Sequence, residues 1–246
     1  MTNAILKVEG ITRRFGGVVA LDDVSFEVRQ GERLGVIGPN GSGKTTLFSV
    51  ISGFVKPNAG SVRLRGEEIA GLPPHVITQR GMGRTFQIVR PFPDVSVLDN
   101  VIIGALVHEK KVERARTRAV DVLGLCGLYD KRNVLGGTLQ LVDRKRLEIA
   151  RTLAGKPKLL LLDETMAGLR PREADAALEL IQTIHEQGTT ILIVEHMMRI
   201  LMSVADRVLV LNQGKVIADD IPAVISRDPR VIEAYLGSKY AQAQQG

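Results

Sequence analysis

The eight residues Gly38-Pro39-Asn40-Gly41-Ser42-Gly43-Lys44-Thr45 match the spacing G-x-x-x-x-G-K-[ST]. They follow the apolar run 34–37 and open a segment, 44–52, that reads as a helix closed by Gly53. Strand, glycine-rich turn and helix together give this spacing its physical meaning. Glycines let backbone N–H groups converge on phosphate oxygens, and the helix N-terminus adds partial positive charge. In such a loop Lys44 reaches the β- and γ-phosphates, and the Thr45 hydroxyl is a ligand for Mg2+.

Outward from this loop the chain alternates short β-rich runs with helical periods, which predicts an α/β domain. Strands are expected over 4–11, 24–28, 33–38 and 61–64, and again over 159–162, 190–194, 207–211 and 215–218. Between about 88 and 154 helical patterns dominate, including 112–123 and a segment where Leu147, Ala150 and Ala154 recur at helical spacing. This stretch reads as a helical subdomain inserted in the core. A further helix is expected over 171–187, with Pro171 at its first position and Gly188 as its stop.

With 246 residues, at roughly 100–200 per domain, the chain is expected to form a single domain with that insertion. Its 44% hydrophobic and 24% charged residues match an ordinary globular domain and exclude collagen, coiled coil and disorder. The longest apolar runs, 159–162 and 191–194, fall far short of the ~20 residues of a membrane-spanning helix. The opening MTNAILKVEG shows no secretory pattern, and the lone Cys126 suits a reducing compartment. Net charge is +6, but the basic residues are scattered and aromatics are only 4%, so no nucleic-acid partner is expected.

Two further motifs carry chemistry. The apolar run 159–162 ends in Asp163-Glu164, where Asp163 suits a Mg2+ ligand and Glu164 is placed to polarise an attacking water. The run 191–194 ends in Glu195-His196, and His196 is a candidate sensor of the γ-phosphate.

The order of phosphate loop, Gln87 within Gly83-Arg84-Thr85-Phe86-Gln87, helical insert, Asp163-Glu164 and His196 resembles the ATP-binding subunit of ABC transporters over essentially the whole chain. The resemblance implies a P-loop ATPase fold: a parallel-sheet core, an N-terminal antiparallel β subdomain and an inserted helical subdomain. It implies ATP and Mg2+ as ligands. Phe15 would stack on adenine, and Gly38, Pro39, Asn40, Gly41, Ser42, Gly43, Lys44, Thr45 and Thr46 would hold the phosphates. Thr45, Gln87 and Asp163 would hold the metal, and Glu164, His196 and Gln87 would serve hydrolysis.

A nearer resemblance is to subunits of importers for branched-chain amino acids and related solutes. It rests on Gly83-Arg84-Thr85-Phe86-Gln87, Met166-Ala167-Gly168-Leu169, Val194-Glu195-His196-Met197-Met198 and Val231-Ile232-Glu233-Ala234-Tyr235-Leu236-Gly237. It implies a cytoplasmic subunit, peripheral on the inner face of the membrane. Its partners would be a second ATP-binding subunit, permease subunits and, indirectly, a solute-binding protein. A soluble ATPase acting on nucleic acid or ribosomes, and a regulatory subunit that does not hydrolyse, are the alternative readings.

The chain departs from the family at two places. The anchor Arg146-Leu147-Glu148-Ile149-Ala150-Arg151 sets the register of the family's Leu-Ser-Gly-Gly-Gln signature on Leu139-Gln140-Leu141-Val142-Asp143. Branched side chains there obstruct close backbone approach, and Asp143 competes with an incoming phosphate for the helix N-terminus. Arg170 stands where the family usually has Asp or Asn. The expectation is a heterodimer, with a homodimer in isolation as the other arrangement, in which this loop forms the weaker half-site.

Overall fold

The structure is a computed structural model that describes residues 4–87, 91–195 and 198–236. Along the chain run β1 (Ala4–Phe15), β2 (Val18–Arg29), β3 (Arg33–Ile37), α1 (Lys44–Ile51), β4 (Ala59–Leu64), β5 (Glu67–Glu68), α2 (Pro74–Gln79), β6 (Met82–Arg84), α3 (Val97–Ala105) and α4 (Val112–Leu125). Then come α5 (Leu141–Ala154), β7 (Leu159–Asp163), α6 (Pro171–Glu186), β8 (Thr190–Val194), α7 (Met198–Val204), β9 (Arg207–Asn212), β10 (Lys215–Asp220), α8 (Pro222–Ile225) and α9 (Pro229–Leu236). They form two compact units, Met1–Ile77 with Thr190–Gly246, and Thr78–Thr189.

The first unit contains an antiparallel sheet in the order β2-β1-β4-β5 and a second run in the order β10-β9-β3-β8. In the second run β3 is parallel to both β8 and β9, and β10 adds antiparallel to β9. Strands β3 and β8 read as unbroken apolar runs because they are covered on both faces: Leu34, Val36, Ile191, Leu192 and Ile193 are wholly buried. Arg207 anchors this sheet, donating to Glu32 at 2.8 Å and to Asp219 at 2.8 Å. Helix α1 presents Leu47, Phe48 and Ile51 to the core.

The hairpin of β1 and β2 is longer than its apolar alternation predicts. Its outer end pairs Arg13 with Leu21 and Phe15 with Val18. Those residues are half-buried or exposed apart from Leu21, so the hydrophobic pattern is silent there and backbone pairing alone extends the strands.

In the second unit β6 lies parallel to β7 with Arg84 opposite Leu161. Strand β7 is buried throughout. Helices α3, α4 and α5 pack on one another. Their buried faces carry Val97, Val101, Ala119, Leu123, Leu147 and Ala150. The Ser96 hydroxyl accepts the Asp99 N–H at 3.0 Å and starts α3. Strands β5 and β6 and helices α2, α7, α8 and α9 are additions to the sequence-based reading. Three residues, Met82-Gly83-Arg84, carry no alternation, and β6 exists because β7 offers it a partner.

Candidate nucleotide site

The phosphate loop belongs to the first unit. Gly38, Gly41 and Gly43 have φ of +155°, +79° and +106°. A Cβ on Gly38 would stand 2.1 Å from the Leu211 carbonyl oxygen, and one on Gly43 would stand 2.5 Å from that of Ala20, so both positions demand glycine. Gly43 caps α1, whose first turn holds no acidic residue, leaving the positive end of its dipole uncompensated. Lys44 is buried, and its ammonium donates to the carbonyl oxygens of Gly38 at 2.7 Å and Pro39 at 3.0 Å. The Gly214 N–H, donating to the Ser42 carbonyl at 3.0 Å, ties the loop to the β9–β10 turn. Thr45 is exposed and Thr46 half-buried at the head of the helix. In the same unit Phe15 is 45% exposed, with the Arg13 guanidinium 4.3 Å from its ring centroid.

Four consecutive residues of the second unit organise the acidic groups. Arg84 Nη2 donates to Asp163 Oδ2 at 2.8 Å. Thr85 Oγ1 accepts the Asp163 N–H at 3.2 Å, while the Thr85 N–H donates to the Leu161 carbonyl at 2.9 Å. The Phe86 N–H donates to Glu148 Oε1 at 2.6 Å, and Gln87 Nε2 donates to Glu164 Oε2 at 2.5 Å. Asp163 and Glu164 are both buried, and Glu164 has φ +50°, a left-handed backbone uncommon for a side-chain-bearing residue. Lys145 of α5 donates to the Glu164 carbonyl at 3.2 Å. Burial pushes the Glu148 carboxyl up to about 7, against the Phe86 N–H and the nearby Arg151 and Lys145 charges, which pull it down.

Of the residues that the sequence singles out, Phe15 and Gly38 to Thr46 thus lie in the first unit. Gln87, Asp163 and Glu164 come together in the second. His196 lies outside the described residues. The sequence reading quoted Arg84 and Glu148 within motifs but gave neither a role in the site. Their signal is a charge inside an otherwise buried pattern, as with Glu148 between Leu147 and Ile149.

Thr45, Asp163 and Gln87 offer hydroxyl, carboxylate and amide oxygens, the hard donors that Mg2+ takes. Among the described residues no three His, Cys, Asp or Glu gather into a metal cage. Each of these donors is of a kind that Mg2+ takes, Thr45 in the first unit and Asp163 with Gln87 in the second.

The loop 139–143 is arranged differently. Gln140 stands before α5 without a side-chain cap, and Leu141 is half exposed. Asp143 is buried in the first turn and ion-paired with Lys131. Arg144 donates to the carbonyl oxygens of Leu139 at 2.6 Å and Gly137 at 2.8 Å. At α6 the Arg170 N–H donates to Glu173 Oε2 at 2.8 Å, the half of a capping box that the third helical residue supplies.

A cleft of about 390 Å3 opens in the second unit. Phe86, Phe92, Ile103 and Val107 give it apolar walls, and Arg84 and Arg151 contribute cations. Buried Asn100 fixes the Phe92 backbone at both its N–H, 2.8 Å, and its carbonyl, 3.0 Å. No helix among the described residues is long and apolar enough to cross a membrane.

Comparisons with known proteins give a consistent picture. A family described as ABC transporter matches residues 21–167, and one described as branched-chain amino acid ATP-binding cassette transporter matches residues 215–241. The chain is 39% identical to the high-affinity branched-chain amino acid transport ATP-binding protein BraF of Pseudomonas aeruginosa, over 96% of this chain and 99% of the relative. It is 38% identical to LivG of Escherichia coli, which carries the same description, over the same shares. Among solved structures, the ADP conformation of MJ1267, an ATP-binding cassette of an ABC transporter, superposes with a TM-score of 0.87 at 32% identity, covering 96% of this chain and 99% of that one. A dimeric post-hydrolysis state of the cassette MJ0796 bound to ADP and Pi gives 0.79 at 25% identity, over 88% and 98%.

Proposed function

Because this chain belongs to the ATP-binding cassette family of ABC transporters, we propose that it is the ATP-hydrolysing subunit of an importer for branched-chain amino acids or related small solutes. The observation that carries the solute class is the near full-length similarity to BraF and LivG, joined by the family match over 215–241.

ATP is held by the loop 38–45 on the α1 N-terminus, with Lys44 released from its own carbonyls to the phosphates and Phe15 against adenine. Thr45, Asp163 and Gln87 are the residues that would hold Mg2+, which would supply positive charge against the phosphates. Glu164 orients and polarises the water for in-line attack on the γ-phosphorus. Its partner Gln87 follows Phe86, which lines the apolar cleft, and this proximity supports the cleft as the place where a permease helix docks. His196 is assigned to the γ-phosphate on the sequence alone.

The second nucleotide site of the dimer would use the loop 139–143. Asp143 and Arg144 already occupy the α5 terminus and its neighbouring carbonyls, which supports a weak half-site here and a partner subunit that supplies an intact one. The subunit then works from the cytoplasmic face of the membrane, through its permease.

Purification with candidate permeases, followed by ATP-dependent leucine uptake in reconstituted vesicles, tests the reading. Capture of a permease and uptake that Lys44→Ala abolishes are expected. ATPase stimulated by nucleic acid, with no permease captured, would overturn it.

A further inference from the structure

Arg84 faces two ways. Arg84 is one of the residues that line the 390 Å3 cleft, and its guanidinium lies 5.2 Å from the Phe86 ring centroid. The same guanidinium holds Asp163 Oδ2 at 2.8 Å, with the two side chains only 9% and 6% exposed. The backbone gives this pair little freedom, since β6 sets Arg84 opposite Leu161 and Thr85 accepts the Asp163 N–H. At this burial the attraction is little screened, so the cation draws on the charge that Asp163 would give a divalent metal.

We infer that Arg84 is a positioning residue that ties the cleft to Asp163: it aims the carboxylate by one oxygen, tempers its hold on Mg2+, and releases it when an acceptor in the cleft draws on the same guanidinium. The planar fork of five N–H donors can serve Asp163 and a second acceptor together, and what the second gains the first loses. Occupation of the cleft thereby raises the affinity of the site for metal. This last step rests on the cleft being the permease site, whereas the tempering of Asp163 does not.

The test is a Mg2+ titration of fluorescent ADP binding to the full chain, as wild type, Arg84→Met and Arg84→Lys. In Arg84→Met the half-saturating Mg2+ concentration is expected to fall about fivefold or more. In Arg84→Lys it returns to within about twofold of wild type, because the charge is kept. Metal-free ADP binds equally to all three, since the phosphate loop is untouched. An unchanged or raised concentration in Arg84→Met, or Arg84→Lys behaving like it, overturns the inference. Should Arg84→Met melt early, Arg84→Gln replaces it with the same expectation.

With the permease bound, the wild-type concentration falls while that of Arg84→Met stays put; equal shifts in both overturn the link to the cleft. Permease capture by Ile103→Asp reads the docking assignment separately. If capture persists, that assignment fails while the titration of the isolated chain still decides the role of Arg84.

Discussion

The N-termini of α1 and α5 are built from opposite chemistry. At α1 three glycines with positive φ shape the preceding loop, no acid occupies the first turn, and the only charge is Lys44, folded onto its own carbonyls. At α5 branched residues replace glycines, Asp143 sits in the first turn paired with Lys131, and Arg144 caps carbonyls of the preceding segment. The first terminus carries no acid against its dipole, whereas the second carries Asp143. A helix dipole is common to both, so the difference in fitness for phosphate lies in what the neighbouring side chains have already satisfied.

The largest effect that follows is on Lys44. Lys44→Ala should weaken nucleotide binding about 100-fold, a charge-assisted contact of roughly 3 kcal/mol, whereas Asp143→Ala should leave the affinity of the isolated chain unchanged. Calorimetric titration with ADP checks both, and comparable losses would erase the contrast between the termini.

Next comes the buried acid of α5. Glu148 in the folded chain is pushed from 4.5 up to about 7, so the native state binds the proton more tightly than the unfolded state. Its burial therefore destabilises the fold progressively as pH rises from about 4.5 to 7, by up to about 3 kcal/mol at 1.36 kcal/mol per unit. Glu148→Gln keeps an acceptor for the Phe86 N–H and removes the titration. Its melting temperature relative to wild type should rise between pH 5 and pH 8, and a pH-independent difference would show that the carboxyl is not desolvated.

The smallest effect concerns Lys131. Its side chain is half exposed, so Lys131→Ala should cost under about 1 kcal/mol in denaturant unfolding, because the α5 dipole still favours Asp143. A larger loss would mean that Lys131, rather than the helix, is what holds this acid in place.

Legibility in the sequence followed the same physics. The loop 38–45 was readable because its glycines, its lysine and the apolar strand before it each answer a local demand of phosphate binding. Strands β3, β7 and β8 were readable because burial on both faces leaves unbroken apolar runs. The outer end of the β1–β2 hairpin, where residues such as Arg14 and Val19 pair at the surface, and the three-residue β6 were not, since pairing with a distant partner makes them strands. The same holds at the site. Asp163 and Glu164 announce themselves at a strand end, but that Arg84 engages one and Gln87 the other depends on β6 lying beside β7, a pairing that residues 79 and 77 positions apart do not advertise. Glu148 is a charge on the buried face of a helix, a local conflict that becomes intelligible only once Phe86 supplies its donor.

In the division of labour proposed for the dimer, this chain would contribute its phosphate loop and the carboxylates Asp163 and Glu164 to one nucleotide site, and the self-satisfied loop 139–143 to the other. The most direct measurement is steady-state ATPase of the assembled transporter carrying Glu164→Gln in this subunit alone. Turnover is predicted to fall about 100-fold or more, the contribution of a lost general base. Turnover that survives nearly intact would contradict the claim.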